Sequence, residues 1–357
     1  MVFLIPSLSL GGMERVMSIL LNSFSKKKIE LHLVLYGKNT EIKYDIPQNV
    51  IVHRPIFHYS ETNRFIFTLK TIRYIRKEIK KIKPNSILSF GEYWNNLVLM
   101  SLLRLKYPIY ISDRSQPNKN LGSLQNKLRD FLYPKASGYI AQTTEAFEMA
   151  NKNKWNSNAI VIGNPIMQVE DNSGLEKQNI ILTVGRLIPT KHIDELIELF
   201  RLTEADDWNL VIVGGDSKKM NLLSDYNDLI KKLGMQNRVS LEGAQTNVVD
   251  YYSKAKIFAF TSSSEGFPNV IGEAMAHGLP VISYNCTAGP SDLIVDGETG
   301  FLIEERDQME YVAKLKKMII DSDLRNYQGK QGKIKIKDFE ASLISEKYYD
   351  FMFKTTK

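Results

Sequence analysis

The residues best equipped for chemistry fall in three segments of the 357-residue chain, and each follows a short apolar run. The first is Ser7–Glu14, where Gly11 and Gly12 stand together. Paired glycines let a backbone come close to a phosphate or a sugar, and a helix N-terminus behind them presents unpaired N–H groups. The pair suits an ordinary strand-to-helix turn equally, since neither a Walker phosphate loop nor a GxGxxG accompanies it. The second segment runs from Gly185 and Arg186 to Lys191. A planar guanidinium fork and a mobile ammonium both match the spread negative charge of a diphosphate, and would stabilise it as a leaving group. Away from a strand-to-helix loop the same two residues would read as solvated surface cations.

The third segment spans Ser262 to Pro280. Pro268 suits a first helical turn, Gly278 the position just past a helix, and Pro280 blocks continuation. Glu273 is therefore predicted inside a short helix and Glu265 in the loop before it. Carboxylates accept hydrogen bonds from sugar and ribose hydroxyls, and the backbone N–H groups between them suit phosphate oxygens. Other residues carry less. Asp113, in Ser112-Asp-Arg114, follows a predicted strand, and either orients an acceptor hydroxyl or serves a structural turn. Glu92 and Tyr93 follow another strand. Asp321 and Asp323 form a nominal D-x-D, but between late helices, so no metal is assigned to them. The five histidines show no ligand spacing, and the single Cys286 excludes an internal disulfide and reads as a packed thiol.

These segments need strands to launch them. In the first half, apolar runs at Val2–Pro6, Leu31–Tyr36, Val50–His53, Ser86–Phe90, Ile109–Ser112 and Gly138–Ala141 alternate with helical periodicity. The pattern restarts after a linker at Gly163–Gln178 with Ile180–Val184, Leu210–Val213, Val239–Leu241, Ile257–Thr261 and Val281–Ser283. Short apolar strands alternating with helices predict parallel sheets covered on both faces, so two doubly wound α/β domains are expected. Ligands of such domains bind at the carboxyl ends of the strands, where the three segments lie.

The ordered set of motifs is specific. Gly185-Arg-Leu-x3-Lys191, Ser262-x-x-Glu265-Gly-Phe-Pro-Asn-Val270, Gly278-Leu-Pro-Val-Ile-Ser283 and Gly289-Pro-Ser-Asp-Leu-Ile294 follow one another, and Glu265 and Glu273 have seven residues between them. This resembles the E-x7-E pattern and neighbouring segments of family 4 retaining glycosyltransferases, chiefly over residues 180–303. The first half resembles that family more loosely, at Gly11–Glu14. The resemblance implies a GT-B fold of two Rossmann-like doubly wound domains: 1–165 for the acceptor, 166–335 for the nucleotide sugar, and a C-terminal helix over 336–357 crossing back to the first. It implies that Glu273 holds the ribose, Glu265 the donor sugar, and Arg186 and Lys191 the diphosphate. Gly185 and the stretch Gly266, Phe267, Pro268, Asn269 and Val270 would line the sugar phosphate, with Gly11 and Gly12 closing over it. By the same resemblance Asp113 would polarise the acceptor hydroxyl, and no metal or cofactor is required. The expected donor is a UDP-sugar and the expected acceptor a saccharide, free or on a polyprenyl diphosphate, in bacterial capsule, O-antigen or glycolipid assembly. Two rivals remain: a catalytically silent sugar-nucleotide-binding subunit, and a nucleotide-sugar hydrolase or epimerase of the same fold.

Charge divides the chain. Residues 1–168 carry 24 Lys and Arg against 11 Asp and Glu, a formal +13, while the remainder carries 23 against 29, a formal −6. The basic half points to an anionic partner or to solubility alone. Within it, Arg64–Lys83 reads as a helix whose stripe Phe65, Leu69, Ile72, Ile75, Ile79 and Ile82 packs inward, leaving Arg73, Arg76, Lys77, Lys80 and Lys81 to face an anionic membrane surface. Nucleic acid is not expected, because no recognised binding module accompanies the charge. Residues 96–111 are interrupted by Arg104 and Lys106, short of the roughly 20 apolar residues of a membrane span, and Met1–Pro6 lacks the basic lead of a signal peptide. The expected location is cytoplasmic, peripheral on the inner membrane face.

Overall fold

The computed structural model describes residues 1–9, 11–57, 63–169, 176–217 and 220–354, so Leu10 of the first loop and part of the expected linker lie outside it. The chain divides into two units, residues 1–165 with 341–357, and residues 166–340.

The first unit is built from β1 (Val2–Ile5), α1 (Gly12–Phe24), β2 (Leu31–Leu35), β3 (Val50–His53), α2 (Arg64–Ile82), β4 (Ile87–Phe90), α3 (Glu92–Ser101), β5 (Ile109–Ser112), α4 (Ser123–Leu132), β6 (Gly138–Ala141), α5 (Thr144–Lys152) and β7 (Ala159–Val161). Its strands form one parallel sheet in the order β3-β2-β1-β4-β5-β6-β7. The central strands are buried along their whole length, as a sheet covered on both faces requires. The order reverses direction between β1 and β4, which places the Gly11-Gly12 loop at the switch point.

The second unit repeats the plan with β8 (Ile180–Val184), α6 (Ile193–Arg201), β9 (Asn209–Val213), α7 (Leu222–Lys232), β10 (Val239–Gly243), α8 (Val249–Lys254), β11 (Ile257–Phe260), α9 (Asn269–Ala276), β12 (Val281–Tyr284), α10 (Pro290–Leu293), β13 (Gly300–Ile303), α11 (Gln308–Ile320) and α12 (Ser322–Lys335). The sheet order is β10-β9-β8-β11-β12-β13, with the reversal between β8 and β11. One face packs Leu196, Phe200, Trp208 and Tyr311, the other Phe258, Ile271, Met275 and Leu293. Among the described residues no helix is long and apolar enough to cross a membrane.

The last helix, α13 (Ala341–Phe353), belongs to the first unit, where Tyr349 meets Phe24 edge to face at 5.7 Å. The division falls at Glu340 rather than at 336, because Ile336 is fully buried in the second unit and Ile166 N donates to Phe339 O at 2.8 Å. Helix α2 also departs from the expected stripe. Its buried row is Phe67, Thr71, Ile75 and Ile79, four residues apart, while Phe65 is 71% exposed and Ile66 and Leu69 also face solvent. Apolar residues stand on two sides of the first turns, and only the position of the sheet decides which row packs.

Candidate active site

In the second unit the charged candidates come from the two strands that flank the reversal. After β8 the chain runs through Gly185 and Arg186 into a 3-10 turn, Pro189–Lys191. That loop is pinned to the one after β9: Gly185 N donates to Val213 O at 2.9 Å and Leu187 N to Gly215 O at 3.0 Å. A Cβ on Gly214 would stand 1.7 Å from the Gly185 carbonyl oxygen, so the crossing of the two loops admits only glycine there. His192 then takes a left-handed conformation, φ 49°, before α6 begins.

The loop after β11 is stitched to this turn. Thr261 Oγ1 donates to Lys191 O at 2.8 Å, Ser263 N donates to Thr190 O at 2.9 Å, and His192 Nε2 lies 2.8 Å from Ser263 Oγ. The stitching brings Lys191 Nζ into a direct ion pair with Glu265 Oε1, both side chains being largely buried. The ammonium also lies 4.8 Å from the centre of the Phe260 ring. Arg186 lines the same small cavity as Lys191, about 10 Å³ or the room of one water, and is exposed. Arg186 makes no ion pair among the described residues.

Glu273 sits on α9, as expected, with Pro268 at the helix cap rather than inside the first turn. Its Oε2 accepts from the Tyr252 hydroxyl at 3.0 Å, and the Tyr252 ring stacks on His277 at 4.9 Å. His277 Nδ1 donates to the Glu273 carbonyl at 2.8 Å, and burial holds this imidazole below its ordinary pKa, which keeps it neutral. Phe267 is buried against Phe339, so it offers the site its backbone and not its ring. Gly266, Asn269 and Val270 remain half-buried beside it. Gly289 packs so closely on Pro268, with φ 100°, that a Cβ would lie 2.2 Å from its Cδ.

The first unit's candidates behave differently. Gly11 caps α1 and Gly12 opens it, and the Tyr44 hydroxyl donates to Gly11 O at 3.0 Å. Asp113 is 7% exposed, and its oxygens accept from Tyr133 (2.6 Å), Asn95 (2.9 Å) and Tyr139 (3.5 Å). Burial, and then the neighbouring Glu92, push its pKa up to about 7. Glu92 is buried too and fastens the following loop, accepting from Ser115 N at 2.7 Å and Arg114 N at 3.2 Å.

Some residues were not found by sequence reasoning. Gly214 carried a usable signal, a glycine pair after an apolar strand, but Tyr252 carried none. The histidines were passed over for lack of spacing, yet His32 Nδ1 and His53 Nε2 lie 3.0 Å apart across β2 and β3, with outer nitrogens on Glu30 (2.6 Å) and Glu78 (3.0 Å). Among the described residues no group of three His, Cys, Asp or Glu converges to hold a metal. Asp321 accepts from Leu324 N at 2.9 Å as the cap of α12, and burial pushes the Cys286 thiol up to about 12.

Comparison with known proteins accords with this geometry. The 4-alpha-N-acetylgalactosaminyltransferase of Campylobacter jejuni that acts on N-acetylgalactosamine-N,N'-diacetylbacillosaminyl-diphospho-undecaprenol is 30% identical over 360 residues, covering 96% of each chain. The amylovoran biosynthesis glycosyltransferase AmsD of Erwinia amylovora is 26% identical, again over 96% of each chain. The crystal structure of Anabaena HepE in complex with UDP superposes with a TM-score of 0.81 at 17% identity, over 98% of each chain. Two doubly wound parallel sheets and this likeness define a GT-B glycosyltransferase fold. The model of the family described as glycosyl transferases group 1 matches residues 168–335, and the chain belongs to that family.

Proposed function

We propose that the second unit binds a UDP-sugar and transfers its sugar, with retained anomeric configuration and without a metal, to a saccharide or polyprenyl-diphosphate-linked acceptor held by the first unit. The observation that carries this reading is the Lys191–Glu265 ion pair beside Arg186 at the sheet reversal, with Glu273 on the helix that follows. Lys191 and Arg186 take the diphosphate, Lys191 exchanging a carboxylate partner for phosphate oxygens. Glu265, released from that pair, accepts from hydroxyls of the donor sugar. Glu273, already held by Tyr252, accepts from the ribose. The N–H groups of Gly266 to Val270, at the start of α9, and Gly185 line the sugar phosphate, and in the first unit Gly11 and Gly12 are the loop residues assigned to substrate binding. The bond from the anomeric carbon to the diphosphate breaks as the acceptor oxygen attacks on the same face, and the acceptor proton passes to the departing phosphate oxygen. Positive charge fixed at the leaving group does the work a metal does elsewhere.

The relatives' names support a place in polysaccharide or lipid-linked glycan assembly. For such acceptors, the first unit docks on the anionic inner face of a membrane. The contact is the start of α2, where exposed Phe65, Ile66 and Leu69 stand among Arg64, Lys70 and Arg73, so apolar side chains enter the interface and cations meet headgroups.

The test is turnover of a panel of UDP-sugars with a polyprenyl-diphosphate-linked acceptor, the product linkage read by NMR. Transfer in EDTA with retained configuration is the expected result. An inverted linkage, or transfer that stops in EDTA and returns with magnesium, contradicts it.

A further inference from the structure

A second pocket lies in the donor unit. It is an open pocket of about 470 Å³ beside α8, and its apolar lining is Ile180 and Val211 from β8 and β9. Glu242, Asn247, Asp250, Tyr251, Lys254 and two glutamines complete its lining. Asn247, Asp250, Tyr251 and Lys254 recur every three or four positions, one row along α8 and its approach. Tyr252 projects from another side of that helix and reaches Glu273, so α8 itself stands between this pocket and the ribose carboxylate.

The lining selects a class of ligand. Two carboxylates against one ammonium give it a net negative character, which disfavours phosphates and other anions. Carboxylates and amides offer both acceptors and donors, which hydroxyl groups need, and a small apolar lining with an aromatic ring suits the C–H face of a pyranose. Several groups are fixed beforehand: the Tyr251 hydroxyl donates to Glu242 Oε2 at 3.1 Å, Asn247 Nδ2 to Asp250 Oδ2 at 2.7 Å, and Gln245 Nε2 to Glu242 O at 2.6 Å. The volume falls in the range of pockets that hold small organic ligands. We infer that this pocket is a saccharide-binding subsite, separate from the donor site, that holds a short uncharged stretch of glycan.

The experiment is saturation-transfer NMR on the full chain with maltotriose and with triacetylchitotriose, in the presence of saturating UDP. At least one trisaccharide should give a signal that UDP leaves intact. Tyr251→Ala and Asn247→Ala should each weaken it by about fivefold or more, as loss of one stacking or hydrogen-bonding contact does. Tyr251→Phe, which keeps the ring, should retain most of it, and Lys191→Ala should not change it. No signal from either sugar, displacement by UDP, or an undiminished signal in both alanine variants would overturn the inference. UDP binding, followed separately, reports on the donor site whatever the trisaccharides do.

Discussion

The two units share one frame and use its loops in opposite ways. In the second, the residues after β8 and β11 leave charged groups at the carboxyl edge of the sheet, where Arg186 is exposed and Lys191 and Glu265 neutralise each other. In the first, the residues after β4 and β5 turn theirs inward: Glu92 ties down Arg114 and Ser115, Asp113 sits beneath two tyrosines, and the Arg114 guanidinium lies 3.5 Å from the Phe90 ring centre while donating to Asn164 at 2.7 Å and Tyr348 at 2.7 Å. A buried carboxylate with its acceptor positions taken stabilises a loop. An ion pair at a loop edge can exchange partners for a ligand. The same position after a strand therefore does not imply the same role, and the difference lies in what surrounds the charge.

Substitutions can break that contrast. The largest effect is expected at the loop edge: Lys191→Ala or Glu265→Ala should lower transfer by about 10²–10³-fold while the protein stays folded, the scale seen when one charge-stabilising group is removed. Parent-like rates in either variant would place the chemistry elsewhere. Next is Gly214→Ala. A methyl group 1.7 Å from the Gly185 carbonyl must push the β8 and β9 loops apart, so a loss of about 1–3 kcal/mol in stability and weakened UDP binding are expected, read by denaturant unfolding and calorimetry.

Asp113 tests the inward side. Its folded pKa, about 7, is above its unfolded value, so the folded state holds a proton that the unfolded chain releases. That contribution is fully present below about pH 4 and is lost as pH rises through 7, with a slope of up to about 1.4 kcal/mol per pH unit between those limits. The melting temperature of the first unit should therefore decline across pH 5–7, and Asp113→Asn should flatten the decline. If Asp113→Asn instead abolishes transfer without moving the melting profile, the carboxylate meets the acceptor after all. The smallest effect is expected at the surface of α2: Phe65→Ser with Ile66→Ser should reduce co-sedimentation with anionic vesicles, leaving transfer to a water-soluble acceptor unchanged. Equal sedimentation of variant and parent would make those side chains ordinary surface.

Much of this was legible in the residues. Strands Val50–His53, Gly138–Ala141 and Ile180–Val184 have the predicted ends, because continuous apolar runs bounded by turn residues leave little choice. Glu273 could be placed on a helix because Pro268, Gly278 and Pro280 punctuate it. Strand β13, Gly300–Ile303, was missed because it follows directly on Asp296-Gly-Glu-Thr299, residue types that read as a continuing loop. Helix α4 was missed too, because Leu124 and Phe131 point outward and blur its stripe. Asp113 could not be read at all. Its burial depends on Tyr133 and Tyr139, which only the folded sheet brings to it.

The loops after β8 and β11, with α9, are the proposed nucleotide-sugar site. Calorimetric titration of UDP into the parent, Lys191→Ala and Glu273→Ala proteins tests it most directly. Binding by the parent is expected, with affinities about tenfold or more weaker in each variant, as loss of a charge-assisted contact entails. Absence of binding by the parent, or equal affinities in all three, would contradict it.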